Sequence, residues 1–263
     1  MHVMQASPWL SAIVIVVLPT LIAIAGPIVI RRWVGFAKLR VNNEVAGFKF
    51  ATVGVLYAVL MAFAVIVVWE KFSRAENDVA REAGAVATIY RLSDGVDGEV
   101  RRALHASMTA YLEKAIADDW AAMEQGKASV AATRALDALY ATALSYRPTD
   151  AHGNIVLSEI LQQLNAVTEA RRERLIKAAG TVPSILWLVL WAGAIVTVSF
   201  TFFFGLQNIH AQTAMTAGLS ILIFSGLLVI LAIDHPFSGY VKVRPEALVE
   251  VLHDLGRGTH AGR

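Results

Sequence analysis

Four uninterrupted apolar runs, grouped two and two around one long polar stretch, set the limits on what this chain can fold into. Trp9 to Ile30 and Phe50 to Trp69 form the first pair; Val182 to Phe204 and Ala214 to Ile233 form the second. None of the runs contains Lys, Arg, Asp or Glu. A helix rises about 1.5 Å per residue, so about 20 such residues span the ~30 Å hydrocarbon core of a bilayer. Core helices of soluble domains keep a polar face, and these runs have none. The expected fold is an all-α integral membrane protein, with four transmembrane helices in two hairpins and a soluble helical bundle inserted between spans 2 and 3.

This divides the chain into a first hairpin (1–69), a polar insert (70–181), a second hairpin (182–234) and a polar C-terminal tail (235–263) whose Gly-rich end, from Gly256, reads as disordered. Charged residues make up 17% of the chain, against roughly a quarter in ordinary soluble domains. A formal net charge of +2 implies no nucleic-acid partner. With no cysteine, disulfides, thiol catalysis and thiolate metal sites are excluded. The stretch Met1 to Pro8 lacks the basic residues of a signal peptide, and the run after it exceeds the usual 7–15 residue h-region. It reads as a retained span.

The insert carries 14 basic and 16 acidic side chains, a near balance expected of solvated helical faces. Helical spacing continues from the second run through Val79, Val86, Ile89 and Tyr90 to Leu92. Ser93-Asp94-Gly95 breaks it, and Asp97 is positioned to cap a second helix that ends at Gly126. Ser129 is positioned to cap a third, stopped by Arg147-Pro148, and a fourth is read after Gly153. Gly180 and Pro183 predict a bend or restart before the third span. Each helix has one apolar stripe, so the four are expected to pack against one another.

No ionisable residue lies mid-run, whereas coupled transporters and pumps keep such residues there. There is no HExxH, no phosphate-binding Gly-rich loop and no nucleophile–base pair at a useful spacing. Neither an enzyme nor a bound cofactor or metal is expected. In the second run, Gly54, Ala58, Ala62 and Val65 form a stripe with two readings: a seam for close helix packing, or a pore lining gated by dewetting. Asp234-His235-Pro236 with Gly239 reads as a helix stop, or as a corner that contacts an ion. Glu44 is the one acid of the first loop and is expected to pair with Arg40 or Lys49.

That loop holds five basic residues (Arg31, Arg32, Lys38, Arg40, Lys49) and the second loop none. Loop charge therefore leans towards both loops in the cytoplasm of an inner-membrane protein, with termini and insert outside. Nine basic residues near membrane ends on the opposite side (Lys71, Arg74, Arg81, Arg171, Arg172, Arg174, Lys177, Lys242, Arg244) count the other way.

The residues Asn43-Glu44-Val45-Ala46-Gly47-Phe48, Gly54-Val55-Leu56-Tyr57-Ala58-Val59 and Val68-Trp69-Glu70-Lys71-Phe72 resemble a bacterial family of four-span membrane proteins labelled bestrophin-like. So do Glu82-Ala83 with Leu92 downstream, and Asp234-His235-Pro236-Phe237-Ser238-Gly239. The resemblance runs from about Trp9 to Leu252. It implies a distant similarity to bestrophin anion channels: a ring of subunits, commonly five, with the second span lining a central pore. It also implies a cytoplasmic insert and termini, opposite to the loop-charge lean. Bestrophins place aromatic and aliphatic rings at a pore neck and acids in a calcium clasp. Here the second span offers mainly Ala, Val and Leu, with Phe63 among them, and no acidic clasp maps onto the chain. The expected function is an oligomeric, channel-like protein passing small inorganic ions; the alternative is a sensor or scaffold whose insert binds a protein partner.

Overall fold

The computed structural model describes residues 8–41, 43–180 and 182–261, and every regular element among them is helical. Four helices are long and apolar enough to cross a membrane: Trp9–Val34, Asn43–Gly95, Ser184–Phe203 and Ile209–Ile233. The chain folds as two compact units, one of residues 1–70 with 182–234 and one of 71–181 with 235–263.

In the membrane unit, α1 (Pro8–Ala12) passes through one π turn (Ile13–Val17) into α2 (Leu18–Val34). Gly35, at φ 81°, turns the chain into α3 (Phe36–Val41). Next comes α4 (Asn43–Leu92), a single helix of 50 residues whose first part belongs to this unit. After Gly180 and Pro183 the chain restarts as α9 (Ser184–Phe200), shorter than the apolar run because Thr201–Phe203 tightens into a 3-10 turn. Then α10 (Ile209–Ile233) packs along α2, its start capped by the Asn208 side chain, which accepts from the His210 and Ala211 N–H groups. The core holds Tyr57, Ala64, Leu190, Ala194 and Leu227. Glycine allows the closest approaches. A Cβ on Gly193 would lie 2.5 Å from the Tyr57 ring, and one on Gly226 2.7 Å from the Met61 sulfur.

The second unit contains the remainder of α4, α5 (Gly98–Lys114), α6 (Trp120–Met123), α7 (Val130–Ser145), α8 (Ala151–Ala179) and α11 (Glu246–Ala261). Their stripes share one core including Val86, Ile89, Met108, Leu139 and Leu164. Ser129 caps α7 by accepting from the Ala131 and Ala132 N–H groups. Asp97 occupies the position before α5, but its side chain makes no capping bond. Likewise α8 starts two residues before Gly153, because Asp150 accepts the Gly153 N–H at 2.6 Å.

The tail also departs from the expectation of disorder: α11 continues through Gly256 to Ala261, with 262–263 outside the described residues. Leu248, Val251, Leu252 and Leu255 recur at three- and four-residue intervals, and burial of Leu248 and Leu255 offsets the cost of helical glycine.

Candidate functional site

The first part of α4 uses only one of its faces inside its own unit. Tyr57, Ala64 and Val68 are buried, and Met61 packs against the same core. Those residues recur every three or four positions, which makes one seam. At 3.6 residues per turn, Phe48, Val55, Val59 and Ile66 project from the opposite side, and all four are exposed. One flank between these faces carries Glu44, Gly47, Ala51, Gly54, Ala58 and Ala62. The other carries Val45, Lys49, Leu56, Leu60, Phe63 and Val67. The stripe picked out in the sequence is thus split. Ala58 and Ala62 are exposed, whereas Gly54 and Val65 are half-buried, with nothing within 4 Å of a Cβ built on Gly54. Within one chain the packing seam is one helical step away, at Tyr57, Met61, Ala64 and Val68.

Of the other motif residues of this unit, Asn43, Gly47 and Asp234 serve its architecture. Asn43 donates to the Gly205 carbonyl at 3.1 Å and accepts the Gly205 N–H at 2.8 Å, tying the start of α4 to the α9–α10 connection. Arg31 adds a bond to the Leu206 carbonyl at 3.1 Å. Gly47 leaves room for the Phe204 ring, 3.9 Å from where its Cβ would stand. Glu44 is exposed, and among the described residues it pairs with neither Arg40 nor Lys49; five residues of helix turn Glu44 and Lys49 roughly 140° apart. Trp69 is exposed at the end of the apolar run. Asp234 is buried and accepts the Val182 N–H at 3.0 Å, so the corner of Asp234 supports a helix junction.

Beyond Asp234 the chain joins the second unit. His235 is half-buried, Pro236 is buried and accepts the Val243 N–H at 2.7 Å, and Gly239 adopts φ 82°, a turn only glycine takes readily. Phe237 is buried edge-on to Trp120, with ring centroids 6.1 Å apart.

The feature that sequence reasoning missed lies inside the second unit. Glu82 and Arg174 are fully buried and joined by two bonds, Nε to Oε2 at 2.8 Å and Nη2 to Oε1 at 3.0 Å. The Tyr111 hydroxyl donates to the same Glu82 oxygen at 2.6 Å. Asp119, in the π turn Ala115–Asp119, accepts from Arg171 Nε at 2.7 Å and Arg174 Nη2 at 3.3 Å. It also receives the Ser129 N–H at 2.9 Å. The Arg174 guanidinium lies over the Trp120 ring, 4.4 Å from its centroid. Two carboxylates and two guanidiniums thus cancel in formal charge and fill most of one another's hydrogen-bonding positions. Burial works against the Arg174 charge, but Glu82, Tyr111 and Asp119 outweigh it and hold the group above its ordinary range. Burial, then Glu82, pushes the Tyr111 phenol well up. A second cluster at the edge joins Lys177 to Asp78 at 2.7 Å and Glu173 at 2.8 Å. These charges hold helices together. The solvated role expected of most insert charges does not extend to these residues.

Among the described residues no group of acids and histidines is arranged to hold a metal. The arrangement offers an unpartnered apolar helix face.

A family profile for the Bestrophin-like domain matches residues 17–248. No curated protein matches the chain. Among solved structures, a bacterial bestrophin homologue from Klebsiella pneumoniae carrying one substitution is similar at a TM-score of 0.73 and 14% identity, covering 92% of this chain and 98% of that one. The same homologue phased on zinc gives a TM-score of 0.69 at 14% identity, over 91% and 96% of the two chains. A second substituted form gives 0.72 at 14% identity, over 91% and 97%.

Proposed function

This chain belongs to the bestrophin-like family, and from that premise we propose that copies assemble into a ring whose α4 helices line an axial pathway for small inorganic ions. The observation that carries this reading is the distribution of faces on α4. One seam is committed to the chain's own core, and the opposite ridge of Phe48, Val55, Val59 and Ile66 is apolar and exposed. In a ring with the seams turned outward, that ridge faces the axis. It forms stacked apolar constrictions, which pass ions only when wetted. Within the apolar run the axial positions are therefore Val55, Val59 and Ile66, with Phe48 just before it. The small residues Gly54, Ala58 and Ala62 turn towards a neighbouring copy. The bilayer and the other copies are the partners this reading requires. No catalytic step is part of it.

In this reading, and against the lean of the short loops alone, the insert and termini lie on the cytoplasmic side of an inner membrane. Family membership favours that side, and so does the count of flanking bases: nine near the insert end against five in the first loop.

Because the chain contains no cysteine, single cysteines report cleanly. Reconstituted Val59→Cys and Ile66→Cys are expected to lose ion flux on treatment with a bulky charged thiol reagent, while Tyr57→Cys is unaffected by it. Wild-type liposomes that pass no more ions than empty vesicles, across several pH and calcium conditions, would refute conduction. Intact spans with one foreign protein cross-linked to the insert would favour the scaffold.

A further inference from the structure

We infer that the apolar groove beside Lys49 receives the Glu44-bearing flank of α4 from the next copy, which rests on the assembly proposed above. The groove has a volume of about 540 Å³ and lies between Val45 and Lys49 on α4 and Ile195, Ser199 and Phe200 on α9, with Phe203 beyond. Ser199 and Lys49 are the polar residues that line it. Lys49 immediately precedes the uncharged run that begins at Phe50, which puts its charge at headgroup depth.

Two unpartnered charges point to the occupant. Among the described residues no carboxylate pairs with Lys49, and no cation pairs with Glu44. The membrane unit contains three acids: Glu44, Glu70 and Asp234. Glu70 and Asp234 follow the second and fourth runs, at the far end of the spans from Lys49. Glu44 lies at the same end. Five residues of helix separate Glu44 from Lys49, which turns them roughly 140° apart. Within one helix they therefore face opposite flanks. In adjacent copies related by rotation about the axis, those flanks face each other.

Size agrees with charge. The flank of Glu44 continues through Ala51, Ala58 and Ala62, all exposed, a shallow trough; that of Lys49 continues through Leu56, Leu60 and Phe63, a raised edge. Trough against edge allows close approach of parallel helices. The contact joins two different patches, so repeating it about one axis closes a ring when the rotation between copies divides a full turn. Each copy gives a carboxylate to one neighbour and an ammonium to the other. A phospholipid in the groove would offer Lys49 a phosphate, but it would leave Glu44 and the trough uncovered.

The test uses the full chain in lipid, assembled from isotope-labelled and unlabelled copies. Carbodiimide coupling should yield an amide between Glu44 and Lys49 that joins labelled to unlabelled peptides. Glu44→Lys and Lys49→Glu should each lose the assembled species by native mass spectrometry, and the double reversal should regain it. An intact assembly with no 44–49 product and harmless single reversals overturns this interface and leaves the ring standing. So does an intact assembly that retains an anionic phospholipid until Lys49→Gln removes it. A monomeric wild-type protein overturns both.

Discussion

Glu82, Asp119, Arg171 and Arg174 are the residues whose burial composition hid. A nearly balanced set of charges reads as solvent-facing because most surface charges are. The signal was in the spacing. Ile160, Leu164, Val167, Arg171 and Arg174 follow one another at four, three, four and three residues, so both arginines lie on the apolar stripe of α8. Glu82 interrupts the stripe of Val79, Val86 and Ile89 in the same way. The sequence alone could not say which acid meets which base, because that depends on how α4, α5 and α8 pack. Removing one partner leaves a buried charge uncompensated, which costs on the order of 3–5 kcal/mol. Glu82→Leu is therefore expected to lower thermal stability by about that much, measured by circular dichroism in detergent. Glu82→Leu with Arg174→Met should recover part of the loss, since Arg171 and Asp119 still pair. A double variant no better than the single would show that the attraction was not the dominant effect. His105 gives a second residue-level expectation. Ser93 donates its proton to the Tyr90 carbonyl at 2.6 Å, so the 2.7 Å contact with His105 requires Nε2 to carry hydrogen. Burial, then Arg101, holds the imidazole below its ordinary 6.5, with Asp94 opposing. The unfolded chain therefore binds the proton more readily, and stability falls as pH drops through 6.5 and below. The melting temperature should decline from pH 7.5 to 5.5 less steeply in His105→Gln than in wild type; parallel profiles would exclude this group.

At the scale of elements, the spans and most helix ends could be read from periodicity and punctuation: the restart at Gly180 and Pro183, the Ser129 cap and the break after Leu92 all appear. The early start of α8 and the extension of α11 could not. A capping aspartate outside the apolar pattern set one, and tertiary burial of Leu248 and Leu255 set the other. Close helix contacts were also hidden, because a glycine in an apolar run looks the same whether or not another helix touches it. The structure separates them. At Gly193 an added methyl would meet the buried Tyr57 ring at 2.5 Å, whereas at Gly226 it would meet the flexible end of Met61 at 2.7 Å. Overpacking costs about 1–3 kcal/mol, and a rigid ring yields less than a thioether. Gly193→Ala should therefore lower the melting temperature more than Gly226→Ala. Gly84, on the exposed side of α4 with nothing within 4 Å of its Cβ position, supplies the opposite sign. Gly84→Ala should stabilise by up to about 1 kcal/mol from helix propensity.

For the molecule as a whole, the four apolar helices were plain in the sequence because a bilayer demands length and apolarity that few other environments do. The faces of α4 were not, since a uniformly apolar helix carries no periodic mark of what it touches. Orientation depends on competing counts of the same charges. The short first loop, with five bases, would stay in the cytoplasm if short loops alone decided. Yet the flanking bases within roughly 15–20 residues of a span also count, and the insert end has nine. Four crossings put insert and termini on one side, so a single measurement decides both. In a Cys-free chain, His210→Cys in the exposed start of α10 and Gln125→Cys in the exposed turn after α6 report opposite faces. With spheroplasts and a membrane-impermeant maleimide, position 210 should label at once and position 125 only after lysis. The reverse pattern would mean that the basic first loop governs insertion. It would also move the charges of Glu44 and Lys49 to the cytoplasmic mouth of the ring.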